Sequence, residues 1–184
     1  GAHAQLRNCA PSETVATLVA EDEVWTTRFG LIPSYKKSTY DRKRDHYVAF
    51  NCRSETILER QLFNRCTEAN AKDKGRGRAV VLIRGFYEWK KNGSVREPFL
   101  VRMNDETIFT FAGIWASWQD RAQRVESFAI LTRSAGPTLS DIHHRVPVSV
   151  HSTAREMWLS PQTSKYSIEA FLGQTDEDRW KPEA

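Results

Sequence analysis

The sequence predicts an α+β protein of one domain, an antiparallel β core flanked by short helices. Three observations lead there. The chain has 184 residues, enough for one real hydrophobic core and too few for two. Its middle is a succession of β-branched and aromatic stretches split by turn signals, Asn92-Gly93 the strongest. Its last part carries short helical stretches with start signals.

The elements follow in order. Asn8-Cys9-Ala10-Pro11 reads as a turn, since Pro11 disfavours helix before it. Residues 14–19 read as a short strand. Residues 24–29 alternate weakly and run into Gly30-Leu31-Ile32-Pro33-Ser34-Tyr35, where Gly and Pro force a bend. Residues 35–47 are polar and basic and read as a loop. Residues 47–51 read as a strand ending at Asn51, and Ser54 as a helix N-cap. From Ile57, Leu58, Leu62 and Cys66 recur at helical spacing beside Phe63, predicting a helix to about Ala69. Residues 71–78 read as a basic, glycine-containing loop.

Residues 80–83 are continuously β-branched and aliphatic, as in a strand buried on both faces. After the Asn92-Gly93 hairpin, residues 98–103 form the return strand. Asn104-Asp105 turns the chain, and residues 107–115 and 126–132 add two strands. Gly136-Pro137 breaks the meander. Residues 138–142 read as one helical turn leading to His143. Thr153-Ala154-Arg155-Glu156 is a capping box opening a short helix through Leu159. Residues 167–172 form another, stopped by Gly173.

Composition narrows the class. No apolar run approaches the ~20 residues of a membrane helix, and no signal-peptide pattern opens the chain. Three cysteines without C-x-x-C spacing argue against a disulfide framework or a zinc site, and for a reducing compartment. The net charge of +4 is compatible with a nucleic-acid partner without requiring one. Basic residues cluster at Lys36, Lys37, Arg42, Lys43 and Arg44, and again at Lys72, Lys74, Arg76 and Arg78, where the plain reading is a solvated loop.

The chemistry centres on Glu88, at the end of Gly85-Phe86-Tyr87-Glu88-Trp89. Strand alternation puts it on the face of Phe86, Leu82 and Val80, away from Tyr87 and Trp89. A carboxylate in an apolar row is costly unless paired, hydrogen-bonded or protonated. The plain reading is a rim residue paired with Lys90 or Lys91. Asn51 and His143 are the other polar groups that stand out. An amide, a carboxylate and an imidazole together can orient an amine and shuttle a proton.

Five motifs occur in a telling order: Phe29-Gly30-Leu31-Ile32-Pro33-Ser34, Asn51-Cys52-Arg53-Ser54-Glu55-Thr56, Gly85-Phe86-Tyr87-Glu88-Trp89, Phe111-Ala112-Gly113-Ile114-Trp115 and Ser140-Asp141-Ile142-His143-His144-Arg145-Val146-Pro147. Together they resemble the SOS-response-associated peptidase (SRAP) family of abasic-site processing proteins. The resemblance implies a single curved, barrel-like antiparallel β core with short helices. It implies a monomer that binds single-stranded DNA carrying an abasic site, in the company of replication-fork proteins, with no metal or cofactor. It places the protein inside the cell, in the nucleus of a eukaryote or the cytoplasm and nucleoid of a bacterium.

In the family a cysteine that follows the start methionine attacks the ring-opened sugar aldehyde. A Schiff base forms first, then a thiazolidine crosslink; lyase and self-cleaving peptidase activities go with the same site. By motif match, Asn51 orients the amine, Glu88 is the acid/base group for ring opening, and His143 is the second proton-transfer group. Arg53 and Arg145 match phosphate ligands, and Phe29 and Trp89 match apolar surfaces against the bases. Such stacking with phosphate contacts holds single strands without reading sequence.

The chain departs from the pattern in places. The family's Met-Cys-Gly-Arg opening is absent, Gly1-Ala2-His3 reads as an expression scar, and Cys9 belongs to the later Asn-x-Ala-Pro segment. The family's closing strand is not legible after Leu172, so both natural ends are expected to lie outside the 184 residues. The other readings are a non-covalent single-strand nucleic-acid-binding module and a plain protein-interaction domain.

Overall fold

The computed structural model describes residues 8–33, 48–68, 75–104, 108–119, 123–174 and 179–183. Strands β1 (Thr14–Ala20) and β2 (Glu23–Phe29) form an antiparallel hairpin. The sheet continues through β4 (Arg76–Ile83), β7 (Phe109–Gln119) and β8 (Arg124–Ser134). It then closes on itself, because β8 pairs in parallel with β2 through Arg28↔Ser127 and Phe29↔Phe128. The barrel is lined by Leu18, Val80, Ala112, Ile114 and Ala129 on one face of the strands and by Val81, Phe111, Trp115 and Phe128 on the other. Closure removes two strand edges that would otherwise offer unpaired backbone groups.

The closing turn requires glycine. Gly30 has φ +117°, and a Cβ there would stand 2.8 Å from both Phe50 and Val48.

One end of β8 positions the functional groups. Past the Gly113↔Ile130 pair, β7 and β8 diverge. Strand β9 (Arg145–Pro147) and residues 148–150 fill the wedge. There the Val148 N–H donates to Leu131 O at 2.9 Å, and Val148 O accepts from the Ala112 N–H at 2.8 Å. On the opposite edge, β3 (Asn51–Arg53) pairs in parallel with residues 130–132 of β8.

A separate sheet of β10 (Trp180–Glu183), β6 (Val95–Met103) and β5 (Phe86–Asn92) packs beside the barrel. Its attachment is aromatic. Phe86 meets Phe111 edge-on at 5.4 Å and Trp180 at 5.6 Å, and Phe109 meets Trp180 at 5.6 Å. Such contacts add about 0.5–1.5 kcal/mol per pair beyond area burial.

The expected continuous strand through Val80 and Glu88 is two strands in two sheets. The chain bends at Arg84-Gly85, where a Cβ on Gly85 would press on Leu100 at 3.0 Å and Val101 O at 3.1 Å. Glu88 therefore keeps Phe86 as a same-face neighbour but not Leu82 or Val80. The predicted alternation within β5 holds: Phe86 and Glu88 are half-buried, Tyr87 and Trp89 exposed.

Other elements differ from expectation. The helix expected over 57–69 shrinks to α1 (Gln61–Asn64) after a 3₁₀ turn, Ser54–Thr56, that Ser54 does not cap. The apolar residues that suggested a helix are satisfied from turns: Ile57 and Cys66 are buried and Leu58 and Phe63 pack on the core. Asn51 opens its strand rather than ending it. Helix α2 (Ser152–Leu159) is capped by His151, whose side chain accepts from the Thr153 N–H, so no capping box forms. Ser164 caps α3 (Lys165–Leu172), which ends at Gly173.

The second basic cluster is not the predicted loop. Its Arg76 and Arg78 lie in β4, while Lys72 and Lys74, like the whole first cluster, lie outside the described residues. Arg78 is 5% exposed. It donates to Trp158 O at 2.5 Å, to Thr67 O at 2.7 Å and to Ser160 O, and lies over the Trp158 ring. Burial pulls its guanidinium down to about 10, so it stays charged at neutral pH. The carbonyls of Trp158 and Ser160 are at the negative end of the α2 dipole, which favours a cation there.

Arg78→Leu removes this buried cap and strands three acceptors. We expect a loss of about 3 kcal/mol or more, since each orphaned buried acceptor costs ~1–3 kcal/mol. Urea unfolding should show a lower midpoint at unchanged m-value; an unchanged midpoint contradicts the account.

Candidate functional site

A cavity of about 260 Å³ opens where β3, β8 and β9 meet, lined by Asn51, Arg53, Glu88, Thr132, His143, Arg145, Val146 and Pro147. Each polar group arrives by a traceable route. Asn51 and Arg53 flank Cys52 on β3, so alternation turns both outward while Cys52 enters the core. Thr132 is the register partner of Arg53 on one side and of Pro147 on the other. Glu88 comes from the neighbouring sheet, two residues beyond the Phe86 anchor.

His143 ends a tight turn. Its N–H donates to Leu139 O at 2.9 Å, while Leu139 is buried and Ile142 packs against the core beneath. Its ring is fixed by the backbone of Arg145, whose carbonyl lies 2.9 Å and whose N–H lies 3.2 Å from His143 Nδ1. With Nδ1 protonated it donates to the carbonyl; with Nδ1 bare it accepts from the N–H. Either way the ring is held by the same residue. His144 is exposed, its ring 4.4 Å from that of His143.

Glu88 Oε1 lies 3.7 Å from His143 Nδ1. Burial pushes the Glu88 carboxyl above its ordinary 4.5, opposed by the charge of His143 and the Trp89 N–H. A carboxyl raised by burial beside an imidazole is the kind of pair that general acid–base chemistry uses.

The two arginines differ. Arg53 is exposed and forms no ion pair among the described residues. Arg145 is tied in. Nη1–H donates to Glu55 Oε1 at 2.7 Å and to Ser134 Oγ at 3.4 Å; Nη2–H donates to Glu55 Oε2 at 2.9 Å and to Thr132 O at 2.5 Å. Its Nε–H is buried without a partner among the described residues. A phosphate on Arg145 must therefore compete with Glu55.

The two aromatics expected against bases lie apart. Phe29 is half-buried, stacked on Phe128 at 5.1 Å and edge-on to Phe50, and does not line the cavity. Trp89 is 48% exposed on the face of β5 opposite Glu88. Tyr87 stands beside it, ring centres 6.5 Å apart, a partner that sequence reasoning did not single out. Glu55 and Thr132 were also missed. Glu55 had one signal, a carboxylate two places after Arg53, but its partner is 90 residues away.

The family described as SOS response associated peptidase (SRAP) matches residues 2–182. The abasic site processing protein YoaM of Bacillus subtilis is 27% identical over 177 residues, 93% of this chain and 73% of that protein. The abasic site processing protein HMCES of Rattus norvegicus is 32% identical over 151 residues, 67% of this chain and 41% of that protein. A crystal structure of a protein from Bacteroides thetaiotaomicron superposes with a TM-score of 0.80 at 26% identity, covering 93% of this chain and 73% of that one.

The Arg145 hydrogen bond holds the Glu55 carboxyl at about 2, below its ordinary 4.5. A depressed carboxyl adds stability above its unfolded pKa and loses it as pH falls through the folded one. Chemical denaturation should thus show the protein losing stability between about 4.5 and about 2, and Glu55→Gln losing less there. Parallel curves for the two proteins exclude a thermodynamic role for the pair.

Proposed function

We infer function from membership: the chain belongs to the SOS response associated peptidase (SRAP) family. Its reading here is a DNA repair factor that captures abasic sites in single-stranded DNA as a covalent adduct. The observation that carries it is the convergence of Asn51, Glu88 and His143 on one cavity. Two relatives named as abasic site processing proteins support it.

A ring-closed abasic sugar opens to its aldehyde when one group takes the hydroxyl proton and another protonates the ring oxygen. The amine of an N-terminal cysteine adds to the aldehyde carbon, and protonation expels water to give an imine. The cysteine thiolate then adds to the imine carbon, and the nitrogen takes up a proton, closing the thiazolidine. Glu88, its carboxyl raised by burial, delivers and recovers the protons. His143, its Nδ1 3.7 Å from Glu88 Oε1, is the second proton-transfer group. Asn51 orients the amine through its exposed amide. The nucleophile is supplied by the family's Met-Cys start, which this chain does not contain.

Arg53, without an ion pair among the described residues, is the cation for a backbone phosphate, and Arg145 joins it only by trading a bond with Glu55. Trp89, with Tyr87, offers a ring to a base on the outer face of β5; Phe29 bears on the DNA through the aromatic wall it shares with Phe50. Stacking contributes about 1–3 kcal/mol per base. The protein works as a monomer inside the cell, at forks where single strands are exposed. No helix among the described residues is long and apolar enough to cross a membrane.

The test uses the full-length protein, its start methionine followed by cysteine, with an abasic single-stranded oligonucleotide. A denaturing gel should show an adduct, and Glu88→Gln should slow its formation more than it weakens binding. Salt-sensitive binding without adduct identifies a non-covalent module instead. Equal losses of rate and affinity make Glu88 a contact residue only.

A further inference from the structure

Glu55 makes more connections than a surface carboxylate needs. It stands in the 3₁₀ turn immediately after β3. Both oxygens accept from the Arg145 fork, at 2.7 and 2.9 Å, and Oε1 also accepts from the Ser134 N–H at 3.1 Å. It thus ties the end of β3 to β8 and β9 at once, across the mouth of the wedge. Bidentate arginine–carboxylate pairs fix geometry as well as charge.

The tie reaches the acid–base pair through one residue. The side chain of Arg145 is held by Glu55, Thr132 and Ser134, and its backbone N–H and C=O hold His143 Nδ1. His143 Nδ1 in turn faces Glu88. We propose that Glu55 is a positioning residue for the reaction: by clamping Arg145 it sets the orientation of the His143 ring toward Glu88. Glu55 touches no reactant in this account. The assignment rests on reading Glu88 and His143 as the proton-transfer pair.

The alternative is that Glu55 shields Arg145 until a DNA phosphate displaces it. The geometry favours the clamp. Displacement would break three hydrogen bonds at once, two from the Arg145 fork and one from the Ser134 N–H, and Arg145 is only 16% exposed at its side chain. A displaceable shield would be expected to hold a freer cation by fewer bonds.

The test has two arms. In the first, this chain is labelled with ¹⁵N and the ring nitrogens of His143 are followed by long-range ¹H–¹⁵N correlation in wild type and Glu55→Gln. Gln keeps the volume and one acceptor but puts an amide N–H₂ against the Arg145 fork. The clamp predicts shifted His143 nitrogens, while those of His151 stay put. Unchanged His143 nitrogens in a folded variant overturn the proposal. If Glu55→Gln does not fold, Glu55→Asp, which keeps the charge but is one methylene too short to span both partners, is read the same way.

In the second arm, full-length protein with its N-terminal cysteine is assayed on abasic single strands. Adduct formation should slow roughly tenfold or more, with Kd changed less than about twofold, the pattern of lost orientation without lost binding. Tighter DNA binding by Glu55→Gln identifies the shield and overturns the clamp. If wild type forms no adduct, the functional reading fails, and the nitrogen shifts of the first arm still decide whether Glu55 orients His143.

Discussion

The site depends on one geometric fact: β8 runs on after β7 has left it. Beyond Ile130 its two edges are taken by β3 in parallel and β9 antiparallel. Those pairings use the backbone on both sides and set the register. Asn51 and Arg53 are set on one flank and Arg145 on the other, with Thr132 between them. Strand splaying in a closed barrel thus makes the cavity, and the wedge that fills the gap brings the His143 turn with it. The fourth participant comes from outside. An aromatic cluster of Phe86, Phe109, Phe111 and Trp180 holds the smaller sheet to the barrel, and Glu88 rides two residues beyond that anchor.

Charge is handled differently at three depths. Arg78 is buried and met by carbonyls at a helix C-terminus, so its charge is structural. Arg145 is partly exposed and matched by Glu55, so it carries little net field into the cavity. Arg53 is exposed and unpaired among the described residues, which makes it the accessible positive charge there. Glu88 is left with an imidazole rather than a permanent cation. That partner compensates it incompletely, and burial keeps the carboxyl raised. Burial with only partial compensation is what raises a carboxyl in this way.

Much of this was legible in the sequence, for reasons that can be named. The hairpin at Asn92-Gly93 and the alternation of Phe86, Tyr87, Glu88 and Trp89 are local, and local rules gave them correctly. The order of the motifs carried the family and the short list of Asn51, Glu88 and His143, which no spacing rule brings together. Long-range pairing hid the rest. The break at Arg84-Gly85 looks like continued strand, because only packing against Leu100 and Val101 makes it a bend. Arg78 looked solvated inside a basic run, since its acceptors come from residues 67, 158 and 160. The apolar spacing from Ile57 to Cys66 suits a helix, yet turns bury the same residues. Glu55 was invisible as anything but a surface acid until β9 was placed beside it.

The central claim is that amide, carboxylate and imidazole serve one small reactant. A crystal structure of the protein with a single-stranded oligonucleotide carrying a tetrahydrofuran abasic analogue tests it directly. The account predicts the sugar ring inside the cavity, within hydrogen-bonding distance of Asn51, Glu88 and His143, with the 5′ or 3′ phosphate on Arg53. A strand that crosses the protein elsewhere, leaving the cavity to solvent, contradicts it.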